Sequence, residues 1–436
     1  MKILVVGSGG REHALVWKIS QSPKVSKLYC APGNAGIESL AQCVPVKLMD
    51  LDGLLNFAKQ EMIDLTVVGP EQPLAEGIVD LFNAHGLMIF GPSKRAAELE
   101  WSKGFAKAFM HRHGIPTAAY RIFGSGQRVE AQAYVRRRSR PLVVKADGLA
   151  AGKGVIICQS HEEAVPTIRE MMEKKIFGPS GETIVVEDFL EGEEASVFAI
   201  SDGTRYLTLA PAQDHKRALD GDRGKNTGGM GAYAPAPIVT PDLLQVIEEK
   251  IIEPTLKGMA QENRPYVGCL YLGLMLTREG LKVVEFNSRF GDPEAQVVLP
   301  LFNGDLVEVL LAACRGELGS VTPQRRSSTS GAAVCVVLAS GGYPDQYSTG
   351  MEISGLDDVA RMPDVLVFHA GTARQNGKLA TAGGRVLGVT AMQRNGSMQD
   401  AIDLAYQAVG KVSFTGMHFR YDIGKKALAH EQRSLA

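Results

Sequence analysis

The chain has 436 residues, enough for about three domains at the usual 100 to 200 residues each. Hydrophobic residues at 45% and charged residues at 22% are globular values, and 47 basic against 48 acidic side chains leave a net charge of -1. That balance excludes nucleic acid or an anionic membrane surface as the main partner, so any phosphate chemistry must be local.

Six cysteines, at 30, 43, 158, 269, 314 and 335, lie far apart without a C-x-x-C pair and read as reduced thiols of the cytosol. The opening MKILVVGSGGREHAL meets glycine and charge too early for a signal peptide. No apolar run approaches the ~20 residues of a membrane helix. The expectation is a soluble, cytoplasmic protein.

Residues 1–102 alternate short β-like runs with helical patterns: KILVVG then HALVWKIS, KLYCAPG then a segment ending LLNFAKQ, DLTVVGP then LAEGIVDLFNAHG, and LMIFGPS. Such alternation predicts a doubly wound parallel sheet whose ligands bind where strands end. There stands GSGGREHA, a broken dinucleotide fingerprint: Gly7 and Gly9 fit, Glu12 replaces the third glycine, and the next strand ends in CAPG without an acidic residue for a ribose. A monophosphate or small polar substrate on Gly9, Gly10, Arg11, Glu12 and His13 fits better than NAD. The plain alternative is a tight turn that packs the helix.

Residues 103–195 begin on the helical EWSKGFAKAFMHRHG and continue as a small α/β unit: AYRIF, the helix EAQAYVRRR, PLVVKA, a glycine loop, VIICQ, the helix EEAVPTIREMME and TIVVEDFL. The basic run RRRSR closes a helix, where cations suit the C-terminal dipole. VVKADGLAAGKGV is not the phosphate loop of nucleotide hydrolases. Gly148 and Gly152 enclose one residue too few, and Gly154 stands where a hydroxyl should ligate magnesium. Lysines beside flexible glycines still suit a polyphosphate, and Lys103 with Lys145 could spread over phosphoryl oxygens. VVEDFLEGEEASV offers an extended strip for an adenine edge and carboxylates for ribose hydroxyls.

Residues 196–324 alternate strands (SVFAI, RYLTLAPA, YLGLMLT, KVVEFN) with a long polar loop, DHKRALDGDRGKNTGGMGAY, whose length points to function. In VVEFNSRFGDPEAQ, Glu285 and Asn287 leave one face of a strand and suit a magnesium ion completed by phosphates. Arg289 continues that face if the strand persists, offering a fork for a carboxylate or phosphate. Residues 325–436 supply GAAVCVVLASGGYP, LVFHAGTA and RVLGVTA as strands of a β-rich third domain, then the helix DAIDLAYQAVGKV.

Together, SKGFAK, VVKADGLAAGKGV, VVEDFLEGEEASV, QDHKR, NTGGMGAY and EFNSRFGDPE stand in the order and spacing of the ATP-grasp ligases. Among these the chain resembles the phosphoribosylamine-glycine ligases over essentially its whole length. The resemblance implies an α/β and α+β architecture: an N-terminal doubly wound parallel sheet domain, a central two-part ATP-grasp domain, and a C-terminal β-rich domain. It implies that ATP, glycine and 5-phosphoribosylamine become ADP, phosphate and glycinamide ribonucleotide, with Mg2+ (or Mn2+) at Glu285 and Asn287. Carried onto this chain, Lys103 and Lys145 meet ATP phosphates and Gly148 to Gly154, with Gly152 and Lys153, form a lid. Glu187, Phe189 and Leu190 line the adenine, and Glu193 or Glu194 takes the ribose. Arg289 and Asp214 serve glycine or its acyl intermediate, with Lys145 beside them. The Gly9–His13 loop, Lys216, Gly229 and Met230 serve phosphoribosylamine. The partners implied are these small molecules and a transient contact with the enzyme that supplies phosphoribosylamine. A sister ATP-grasp carboxylase of purine or biotin metabolism is the alternative. The strand YLGLMLT lacks a metal carboxylate that many ATP-grasp relatives carry, which puts a two-metal shell in doubt.

Overall fold

The computed structural model describes residues 1–150, 154–321 and 331–435. The first sheet is parallel: β1 (Lys2–Gly7), β2 (Lys27–Pro32), β3 (Gln42–Cys43), β4 (Leu65–Val68) and β5 (Ile89–Phe90) lie in the order β3-β2-β1-β4-β5. Ile3 to Val6 are fully buried because helices cover both faces of β1. The strand order reverses between β1 and β4, and Gly9 and Glu71 follow those two strands at the crevice where ligands of such sheets bind.

The helical segment expected around Lys103 is two helices, Glu98–Trp101 and Lys103–Arg112, separated by Ser102. The Ser102 hydroxyl accepts from the Phe105 N–H at 3.0 Å and caps the second helix, so Lys103 is its first residue. A small antiparallel sheet follows, with β6 (Tyr120–Phe123), β7 (Leu142–Ala146), β8 (Val155–Cys158) and β9 (Ile184–Asp188) in the order β6-β9-β7-β8. The helices Arg128–Arg136 and His161–Met172 pack on it around Val135, Val144, Ile168 and Met171.

The larger sheet is built on β10 (Gly192–Asp202), flanked by β11 (Tyr206–Thr208). β10 starts at Gly192, so one strand runs across the boundary expected between residues 195 and 196.

The polar stretch 214–233, expected as a loop, is mostly strand: β12 (Gln213–Asp214), β13 (Arg217–Leu219), β14 (Arg223–Asn226) and β15 (Gly231–Ala234). Left-handed Gly221 (φ 68) and Asp222 (φ 53) turn β13 back onto β14, a geometry that glycine and aspartate tolerate. The central sheet is completed by β16 (Val267–Thr277) and β17 (Gly280–Asn287) in the order β11-β10-β16-β17.

The last region supplies β18 (Ala332–Ala339), β19 (Val365–His369), the hairpin β20 (Thr372–Gln375) and β21 (Lys378–Thr381), and β22 (Arg385–Gln393). Its main sheet runs β12-β15-β18-β22-β19, so two strands come from the central region. The helix Met398–Val409 covers it, burying Ala401 and Ala405 against a core with Val334, Val336 and Val389. All six cysteines are free thiols. Among the described residues no single helix is long and apolar enough to cross a membrane.

Candidate active site

One cleft gathers side chains from the first crevice, the small sheet, β10 to β17 and the turn after β17. At one end stand lysines. Val143 pairs with Glu187 across β7 and β9, so Lys145, two residues on, leaves the same face as Glu187. Lys145 Nζ lies 2.9 Å from Glu187 Oε1 and donates to the Val284 carbonyl at 3.3 Å. Lys107, one helical turn after Lys103, places its Nζ 2.8 Å from Glu187 Oε2 and donates to Thr117 Oγ1 at 2.6 Å. Burial lowers Lys107 to about 8 despite Glu187, and burial likewise lowers Lys103, whose Nζ donates to the Gly148 carbonyl at 3.4 Å.

Glu187, expected at the adenine, lines the cleft at this lysine end. Its carboxylate is 4% exposed and bridges two ammoniums, which leaves any adenine contact from this residue to its backbone. Phe189 and Leu190 line the cleft as expected. Glu193 is corrected: neighbours on β10 face opposite ways, so Glu194 enters the cleft while Glu193 Oε2 sits 2.7 Å from His430 Nε2. Leu149, Ala150 and Gly154 line the cleft, whereas Gly148 is packed on Ser180. Gly152 and Lys153 lie outside the described residues.

Glu285 and Asn287 both line the cleft near the end of β17. The pairing with β16 slips here: Gly273 faces Glu285 and Leu274 faces Val283, leaving Val284 as a bulge that re-aims the strand end. β16 carries no carboxylate, and Gly273, which stands opposite Glu285, would bring a Cβ to 3.1 Å from Glu285 Cγ. Among the described residues the Glu285 carboxylate makes no hydrogen bond or ion pair. Burial works to raise it, but Lys216, Lys145, Lys103 and Arg289 hold its carboxyl below the ordinary value. The Asn287 amide nitrogen, oriented to satisfy its neighbours, donates to Glu100 Oε1 at 3.0 Å and to the Phe286 carbonyl at 3.1 Å, which turns the amide oxygen away from those two acceptors. An unpaired carboxylate beside an amide oxygen fits a hard divalent cation. No group of three or more His, Cys, Asp or Glu among the described residues could hold a metal, so phosphates and water would complete the shell.

Arg289 does not continue the β17 face, since the strand stops at Asn287. It reaches the cleft from the following turn, held by Glu71 (Nε to Oε2, 3.2 Å) and Glu100 (Nη2 to Oε1, 3.0 Å). Burial alone would raise Glu71, yet Arg289 and Arg11 bring it down to about 2.

On the remaining wall, burial pushes Asp214 up to about 7, with Lys216 opposing and Glu294 and Glu194 adding. Lys216 Nζ lies 2.6 Å from Glu194 Oε2. Ser196 donates to Glu294 Oε1 at 3.1 Å. Of the glycine-rich segment, Asn226, Thr227 and Gly228 line the cleft, but Gly229 and Met230 do not. Met230 is fully buried, and its N–H donates to the His215 carbonyl at 2.8 Å, next to the β12–β15 pairing.

In the N-terminal loop, expected to serve phosphoribosylamine, the polar side chains bind protein. Glu12 accepts from the Gly9 N–H and from Arg11 Nε, each at 2.6 Å. Arg11 donates to the Phe290 carbonyl at 3.3 Å. His13, lowered to about 3 by burial, accepts from the His369 N–H at 2.8 Å. Gly10 is packed on Gln296, and Gly9 alone is left near the cleft, where its Cβ would stand 3.8 Å from Asp292 Oδ2. Sequence reasoning missed Lys107, which its four-residue spacing from Lys103 signals; it quoted Asp292 and Glu294 within FGDPE without giving them a role; and it missed Glu71, Glu100 and Arg385, which no local pattern marks.

Models of the phosphoribosylglycinamide synthetase N domain, ATP-grasp (A) domain and C domain match residues 1–100, 101–295 and 333–426. The chain is 50% identical to a phosphoribosylamine-glycine ligase of Chlorobaculum tepidum, across 98% of this chain and 100% of that protein. It is 51% identical to that of Allochromatium vinosum, across 99% and 100%. The solved phosphoribosylamine-glycine ligase of Thermotoga maritima superposes with a TM-score of 0.82 at 34% identity, covering 97% of this chain and 100% of that one. The biotin carboxylase domain of Hydrogenobacter thermophilus 2-oxoglutarate carboxylase, at 18% identity and TM-score 0.70 over 96% and 91%, shares the fold. With the three domain matches in order along the chain that forms this cleft, the chain belongs to the phosphoribosylglycinamide synthetase family.

Proposed function

We propose that the chain joins glycine to 5-phosphoribosylamine at the expense of ATP, the second step of de novo purine biosynthesis, in the cytoplasm. The observation that carries this reading is one cleft with buried lysines at one end and the unpaired Glu285 facing them. Residues 1–102 would serve the amine substrate, 103–195 and 196–324 would enclose ATP, and 325–436 would brace the site.

A glycine carboxylate oxygen attacks the γ-phosphorus, the bond to the β,γ-bridging oxygen breaks, and ADP leaves while Lys103 and Lys145 take up charge. The amine of phosphoribosylamine then attacks the carbonyl carbon of glycyl phosphate, the bond from that carbon to the phosphate oxygen breaks, and phosphate departs as the nitrogen gives up a proton. Glu285 and Asn287 would hold Mg2+ or Mn2+, which when bound supplies charge neutralisation at the phosphate oxygens. Arg289 has five N–H donors, of which Glu71, Glu100 and the Phe290 carbonyl take three, leaving others for glycine's carboxylate. Asp214 as a carboxylate would accept glycine's ammonium. The side chains that close on the cleft exclude water from a mixed anhydride that would otherwise hydrolyse. The lability of phosphoribosylamine supports a transient contact with the enzyme that supplies it.

The test is product detection. ADP and glycinamide ribonucleotide should form only with ATP, glycine and phosphoribosylamine together. ADP release driven by bicarbonate in place of glycine would move the reading to a carboxylase.

A further inference from the structure

Two side chains from the last third of the sequence grip a single peptide of the cleft wall. The Gly228 N–H donates to Tyr343 Oη at 2.9 Å, and the Gly228 carbonyl accepts from Arg385 Nη1 at 2.6 Å. Arg385, the first residue of β22, also donates through Nη1 to the Asp292 carbonyl at 2.8 Å and through Nη2 to Asp292 Oδ2 at 2.7 Å. Gly228 and Asp292 both line the cleft, so one guanidinium ties two of its walls together. A Cβ on Gly228 would stand 3.0 Å from Arg385 Cζ, so a side chain there would press on the guanidinium.

The grip reaches further. The Thr227 N–H and hydroxyl both donate to the Lys216 carbonyl, at 2.7 and 2.9 Å, and the Gly229 N–H donates to Thr227 Oγ1 at 2.9 Å. Fixing Gly228 therefore fixes the backbone that carries Lys216. Asp292 in turn faces Gly9 of the N-terminal loop. Lys107 and Lys145, at the other end, are held by Glu187, Thr117 and the Val284 carbonyl, contacts that do not involve Arg385 or Tyr343.

We infer that Arg385 and Tyr343 are positioning residues for the amine substrate, setting the Gly228 and Asp292 walls for a phosphorylated sugar amine before it arrives. The inference rests on the ligase reading above. A preset wall spares the ordering of this segment on binding, so its loss falls on the affinity for that substrate and not on ATP.

The test uses the full-length enzyme with Tyr343→Phe, which removes only the phenolic oxygen, and Arg385→Lys, which keeps a charge but cannot fork between Gly228 and Asp292. The KM for phosphoribosylamine should rise about tenfold in each, the effect of one or two lost hydrogen bonds, while the KM values for ATP and glycine stay within about twofold. Hydrogen exchange of the segment 216–229 should quicken in both variants while that of β6 to β9 does not change. Equal rises in all three KM values, faster exchange with an unchanged phosphoribosylamine KM, or a raised KM with unchanged exchange overturns the inference. A wild-type enzyme that makes no glycinamide ribonucleotide sinks the ligase reading by itself, and the exchange measurement still decides whether these residues hold the wall.

Discussion

Replacing Glu187 with Gln removes a charge while keeping the shape. The carboxylate faces Lys107 at 2.8 Å and Lys145 at 2.9 Å, with every partner no more than 5% exposed. At an effective dielectric of about 20 each contact supplies about 6 kcal/mol of Coulomb attraction, against a desolvation cost of several kcal/mol per buried ion. One carboxylate thus offsets two ammoniums, and without it both stay buried and uncompensated. Lys107, already lowered to about 8, then gives up its proton near neutral pH. We expect Glu187→Gln to cost about 3 kcal/mol in urea unfolding, the scale for a broken buried pair, and to raise the ATP KM about tenfold or more as Lys145 loses its orientation. Lys107→Met should cost less than half as much, because it leaves Glu187 and Lys145 paired one to one. Equal costs for the two variants, or an unchanged ATP KM in Glu187→Gln, would refute this account of the lysine end.

Acid should destabilise the fold through buried neutral histidines. Burial lowers His13 and His215 to about 3 and His369 to about 4. The unfolded chain binds more protons than the native one between those values and 6.5, so stability falls as pH drops through that window. From pH 7 to 5.5 the three lose about 4 kcal/mol, and Asp214, whose raised carboxyl has the opposite sign, returns about 2, for a net fall of about 2 in urea titrations; no fall would contradict the burial argument. Asp214 also predicts that kcat/KM for glycine rises with pH through about 7, where the carboxylate forms, and that Asp214→Asn flattens the profile. Gly273→Ala should press on Glu285 and raise the magnesium concentration for half-maximal activity about tenfold, and an unchanged activation curve would exclude that contact.

Much of the N-terminal sheet was legible because KILVVG and DLTVVGP are apolar on both faces, the mark of a buried parallel strand. Lys145 stood out as a charge inside such a run, and Glu285 with Asn287 followed from strand alternation. That alternation could not separate Glu193 from Glu194 until the start of β10 was known, and the Val284 bulge leaves no trace in an apolar pattern. The stretch 214–233 reads as loop because its glycines and charges are turn-formers, yet pairing with distant β18 makes it strand. Arg385 and Tyr343 act across 93 and 115 residues, beyond any local signal.

The mixed ancestry of the β12-β15-β18-β22-β19 sheet bears on how the protein is made. β12 and β15 leave the ribosome about a hundred residues before β18, so during synthesis β15 carries an open edge awaiting its neighbour. The first parallel sheet has all five of its strands once residue 90 is out, but the wall around Asn226 to Gly228 takes its final form only when β22 has arrived. The nascent enzyme can therefore assemble its lysine end early, while its amine end is completed among the last events of translation.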